Sequence, residues 1–83
     1  MNKEYIIYNL KEACESLERI IHDFENDPDY DKEEYSIDMQ HIYHHLNTAW
    51  NSRFSTSDQS IKCSDEDFRT WRQFPNDIDM NSE

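Results

Sequence analysis

Glycine is absent from all 83 residues. That absence removes glycine-dependent phosphate loops, the nucleophile elbow, the usual calcium loop and the dinucleotide fingerprint together, because each needs a residue without a Cβ at a fixed place. Valine is also missing, and leucine, isoleucine and phenylalanine number 3, 8 and 4, about 18% of the chain. At high net charge so thin an apolar content meets the compositional warning for disorder. Five tyrosines, two tryptophans and three methionines partly offset it. Cys14 and Cys63 are too few for a disulfide framework and too far apart for a Cys-x-x-Cys site. Cys14 reads as a small core residue and Cys63 as a free thiol. The longest apolar run, Tyr5 to Tyr8, falls far short of the roughly 20 residues of a membrane span. Lys3, Glu4, Lys11 and Glu12 stand where a signal peptide needs an unbroken apolar stretch. The expected address is the cytoplasm, with no membrane partner.

What is abundant is acid. Nineteen acidic against eight basic residues leave a formal charge of −11, which opposes binding to anionic lipid or direct binding to nucleic acid. The distribution is uneven. Residues 23 to 38 hold Asp23, Glu25, Asp27, Asp29, Asp31, Glu33, Glu34 and Asp38 against Lys32 alone, which is −7 of the −11. Such a run is either a solvated turn or a surface that engages a basic partner, imitating a phosphate backbone.

From Ile6 to Phe24 the apolar residues fall at 6, 10, 13, 17, 20 and 24, alternating steps of four and three. That is helical periodicity, and Asn2 stands where an N-cap would satisfy the first free amides. A helix over 3–26 follows, ended by Pro28, which disfavours helical geometry at Asp27. Asp31 with Glu34 has the capping-box arrangement for a second helix over 32–54, with Tyr35, Met39, Ile42, Leu46 and Ala49 along its stripe. A connection this short makes the two helices antiparallel neighbours. Residues 55–63, which include the run STSDQS, have linker composition, Ser64 caps a short helix over 65–74, and a polar tail fills 75–83. The fold class is all-α, a single domain in which a helical hairpin carries a short third helix.

Each long helix carries an apolar stripe wider than the seam of a hairpin can cover. Phe68, Trp71 and Phe74 of the third helix cover part of it; a second copy of the chain, giving a four-helix bundle, or another protein would cover the rest. The clearest second seam in the pattern is Tyr43, Asn47, Trp50 and Phe54, aromatic with one amide, which is interface-like chemistry. Arg53 is the one charge on the second stripe. Either its stem covers the core while its head reaches water or the last carbonyls, or it pairs with a carboxylate of the third helix or stacks on Trp71.

Glu34, Asp38, His41 and His45 step by four, three and four along one flank of the second helix. Carboxylate and imidazole at such spacing can ligate a transition metal, and Asp38-x-x-His41 has the acid-x-x-His form used in di-iron bundles. Those sites face a bundle interior, whereas this flank lies off the apolar stripe and the first helix offers no matching inward carboxylate. An exposed polar face with ordinary histidines is the simpler reading. No acidic residue falls on an apolar stripe, where a general acid or base would be desolvated, and glycine-free helices expose few amides for an oxyanion pocket. The expectation is therefore a small non-catalytic interaction or regulatory module without cofactor or metal. It would contact a second copy or another protein through Tyr43, Asn47, Trp50 and Phe54. The alternative is an acidic mimic that blocks a nucleic-acid-binding protein through Asp27, Asp29, Asp31, Glu33 and Glu34. A helix-borne metal-binding protein is a further alternative.

Overall fold

The computed structural model describes residues 1–81; the last two residues of the expected polar tail lie outside the described residues. Among the described residues four helices follow one another: α1 (Lys3–Asn26), α2 (Lys32–Asn51), α3 (Ser57–Lys62) and α4 (Asp65–Trp71). The all-α hairpin is present, with α1 and α2 packed along their lengths and α4 laid against α2. No described helix is long and apolar enough to cross a membrane.

Side chains start every helix. Asn2, Asp31, Thr56 and Ser64 accept from the backbone amides of Tyr5, Glu34, Gln59 and Asp67 respectively, each satisfying one of the orphan donors of a first turn. Three boundaries differ from the sequence reading. The second helix ends at Asn51, not at residue 54, and Ser52 to Phe54 turn away. The expected linker contains α3, whose Thr56 and Gln59 form a full capping box. The Thr-x-x-Gln signature of that box stood in the sequence inside a run with linker composition. The last helix stops at Trp71 instead of residue 74. Pro75 disfavours helical geometry at Phe74, and asparagines of α2 take the carbonyls of Trp71, Arg72 and Gln73. With no glycine available, the C-cap of α3 falls on Cys63 at φ 39°, a left-handed position that a Cβ makes costly.

The packing seam shares only part of each apolar stripe: Ala13 and Ile20 of the first, Ile42 and Ala49 of the second. On α1 the buried residues are Asn9, Ala13, Ser16 and Ile20, and on α2 they are Ile42, His45, Asn47, Thr48 and Ala49. At about 100° per residue the α1 line is centred about 50° from the stripe of Ile6, Leu10, Ala13, Leu17, Ile20 and Phe24. Small residues let the two helices approach closely, and Asn9 Oδ1 meets His45 Nδ1 across the seam at 2.8 Å. The hydrophobic centre is correspondingly small: Ala13, Ile20 and Ile42, with Tyr30 and Met39 packed against it. Cys14, expected in the core, is exposed; it lies on the far side of the stripe from the seam.

Candidate functional site

α4 and the segment after it form a strap over one side of α2. Trp71 is buried, its ring 5.8 Å from Tyr5, while Phe68 lies 5.2 Å from His44 and Phe74 5.2 Å from Tyr43. The strap is fastened through its backbone. Asn47 Nδ2 donates to the Arg72 carbonyl at 2.9 Å, and Asn51 Nδ2 donates to the carbonyls of Trp71 and Gln73 at 2.8 and 2.7 Å. Replacing Asn51 by alanine removes two of these bonds and should cost about 1–2 kcal/mol. A lower urea midpoint followed by Trp71 fluorescence is the expected readout, and an unchanged midpoint would mean the aromatic contacts alone hold the strap.

Farther along, Asp77 receives Trp50 Nε1 at 2.8 Å and Arg53 at 3.1 Å. These two hydrogen bonds hold its carboxyl below the usual carboxylate range. Arg53 stacks at 4.0 Å over Trp50, not Trp71, and also donates to the Trp50 carbonyl at 2.8 Å. The carbonyl contact matches the simpler sequence reading; the ion pair reaches the tail, not the third helix.

This arrangement decides the state of the expected aromatic seam. Asn47 is buried under the strap, Tyr43 is half-covered by Phe74, and Trp50 is engaged by Asp77 and Arg53. Phe54 alone is open to solvent, 74% exposed. The chain thus supplies much of the cover for that seam itself.

A different face is left uncovered. Leu10, Leu17, Ile21 and Phe24 of α1, with Tyr35 and Leu46 of α2, are between 39% and 58% exposed. All lie on the side of the hairpin opposite the histidines, because in an antiparallel pair equal rotations from the seam fall on one side. Toward the open end, Ile6, Leu10, Leu46, Ala49, Trp50 and Ile78 line a groove of about 390 Å³. At about 100° per residue the only charged positions of α1, α2 and the turn after α2 within this arc are Lys3, Lys32 and Arg53, and Asp77, held by Trp50 and Arg53, borders the groove at its open end.

The acids gather elsewhere. Asp27, Asp29, Asp31, Glu33 and Glu34 are all exposed around the turn. Asp27 accepts from the Asp29 amide and Asp31 caps α2, so two of the five carboxylates also build the turn. Partial burial, and then Asp31, Asp27, Asp23 and Asp38, push the Glu34 carboxyl up. Tyr30 donates to Asp38 at 2.7 Å, and its phenol is pushed up to about 12, first by burial and then by that bond.

His41, His44 and His45 form a third cluster. The His45 ring centroid lies 4.7 Å from that of His41 and 4.9 Å from that of His44. His45 is buried and bonded to Asn9, and a buried His44 Nδ1 has no partner. The proposed ligand flank is not gathered. Asp38 is engaged by Tyr30 and Arg19, and among the described residues no three His, Cys, Asp or Glu side chains are placed to hold a metal.

Compared with protein-family models, with curated proteins and with solved structures, the chain matches none.

Proposed function

We propose that this chain is a small, acidic, non-catalytic interaction module whose contact surface is the apolar face of Leu10, Leu17, Ile21, Phe24, Tyr35 and Leu46. One observation carries the reading: in a chain of charge −11, α1 and α2 place no carboxylate among the large apolar residues they expose on one side. Contiguous apolar patches above a few hundred Å² are uncommon on free monomers and mark binding surfaces. The asparagines of the two long helices support a non-catalytic role, since they fasten one element to another: Asn9 to His45, and Asn47 and Asn51 to the strap. Relative to the sequence expectation, the contact moves from the seam of Tyr43 and Asn47 to the neighbouring face.

A photo-crosslinking residue at Leu17 tests the reading in the cell of origin. The expected result is a discrete protein crosslink from position 17 and none from Glu15, which is on another face of the same helix. Equal crosslinking from both positions would remove the face from consideration.

The acidic mimic is favoured by a separate observation, the convergence of Asp23, Asp27, Asp31 and Asp38 on Glu34. It would require binding that weakens steeply with salt, and binding that is lost when Asp27, Asp29, Asp31 and Glu33 become amides. Contact through the apolar face would survive both changes.

A further inference from the structure

We infer that the occupant of the apolar face is a second copy of this chain, packed face to face so that the two acidic turns lie at opposite ends of a four-helix assembly. This rests on the contact face proposed above and names its partner. Three observations lead to it.

Area comes first. α1 has 24 residues and α2 has 20. At about 1.5 Å per residue and an axis spacing of about 9 Å, the shared face measures roughly 30 by 20 Å. Two such faces remove about 1,200 Å² in total, the lower bound for a stable and specific interface. An isolated helix laid on the same face would cover only part of its width.

Charge is the second. Self-association of a chain of −11 is opposed by repulsion unless the acids stay apart. Here no acid of α1 or α2 lies among the apolar residues of the face, and Asp77 at its open end is paired with Arg53. With the turns at opposite ends, residues 27 to 34 of the two copies stand about 30 Å apart, well beyond the Debye length of about 8 Å at physiological salt. The same pairing brings each acidic turn to the end of its neighbour that carries Lys3, Arg53 there being paired with Asp77 of its own chain.

Shape is the third. Phe24 stands near the turn end of the face, 57% exposed, and the groove between Ile6, Leu10, Leu46 and Trp50 opens at the other end. An antiparallel two-fold arrangement carries the second copy's Phe24 to that groove and leaves Leu17, near the middle of α1, close to the axis. A two-fold interface is self-complementary in this way: a knob at one end meets its own groove at the other.

Sedimentation equilibrium over a hundredfold concentration range tests this. The expected mass is about twice the 10.2 kDa of one chain. Leu17→Glu, which sets two carboxylates against each other at the axis, should weaken association about thirtyfold or more, as loss of a central contact does. Phe24→Ala, at an exposed position, should weaken it less, and helicity by circular dichroism should stay unchanged in both. If Leu17→Glu does not fold, Phe24→Ala alone decides. A dimer indifferent to both folded variants would overturn the arrangement. A monomer throughout overturns the second-copy inference, and crosslinking from Leu17 then separates the cases. A crosslink to another protein preserves the contact face, whereas none removes both readings.

Discussion

Replacing Ile42 by alanine should remove about 2–5 kcal/mol of stability, the ordinary cost of emptying a fully buried branched side chain. Ile42 is 2% exposed and meets Ala13 and Ile20 at the centre of a cluster with no other fully buried member. A domain of 83 residues has about 4–12 kcal/mol in all, so this single truncation consumes a large share of it. Small chains bury a limited fraction of their surface, and here much of the apolar surface stays outside the seam. Urea unfolding followed by circular dichroism measures the effect. Ile37→Ala, at a residue 65% exposed, is the control and should stay within about 0.5 kcal/mol of wild type. Equal losses at the two positions would mean that the α1–α2 seam is not where stability resides.

Acidification should destabilise the fold in the range where histidine titrates. Burial, then His45, Arg72 and His41, hold His44 below the ordinary histidine value. Burial and then His41 hold His45 below it, with Glu12 pulling the other way. The groups facing this cluster are Glu12, Tyr8 and Asn9 from α1, together with Phe68 of α4 and Arg72 after it. Both histidines are therefore neutral in the fold while the unfolded chain still takes up protons near pH 6.5. The unfolded state then binds more protons than the native state, so stability rises with pH through this window. It is fully present above about pH 7 and declines as pH falls below about 6.5, until the folded protein itself accepts the protons. Each histidine can add at most about 1.4 kcal/mol per pH unit there. Glu34 acts oppositely and lower down: its raised carboxyl favours the fold as pH falls toward its own range, because protonation relieves the crowded acids. Urea midpoints at pH 7.5 and 5.5 read the histidine slope, and a Glu34→Gln background removes the opposing carboxyl. A His44→Asn, His45→Asn double variant should lose most of the slope, and a slope that persists in it would assign the titration elsewhere.

The helices themselves were legible because local chemistry settles them. Apolar steps of four and three, Asn2, Asp31 and Ser64 as caps, and Pro28 as a stop all act within a turn or two of chain, and the structure keeps each. α3 was legible in principle through Thr56 and Gln59, but a run of serines around a capping box looks like linker until the glutamine is given weight. What periodicity did not reach was the face each helix turns toward the other. A count of apolar side chains points α1 along Leu10 and Leu17, whereas close approach is granted by Ala13 and Ser16 and registered by the Asn9–His45 bond. Hydrophobicity records what a residue gains by leaving water; it does not record which neighbour is small enough to be approached. The same limit hid the strap, because Asn47 and Asn51 act on carbonyls twenty or more positions away, and nothing local distinguishes an asparagine that will do so. Asn2 adds to its cap a second task, binding the Arg53 carbonyl through its amide at 2.7 Å and Ser55 and Ser60 through its side chain.

The fastening of α4 by side chains onto its carbonyls has a consequence for the order of folding. The hairpin is assembled from near neighbours along the chain, a topology that forms early and fast. α4 is too short to persist alone in water and must form on a surface that α2 already presents. Unfolding can then begin at the strap, which peels from the hairpin as its own low-energy opening unit while α1 and α2 stay paired. The expected behaviour is two tiers of cooperativity in one small chain. The upper tier, by leaving, would bare Tyr43 and Asn47 beside the apolar face without dissolving the hairpin that carries both.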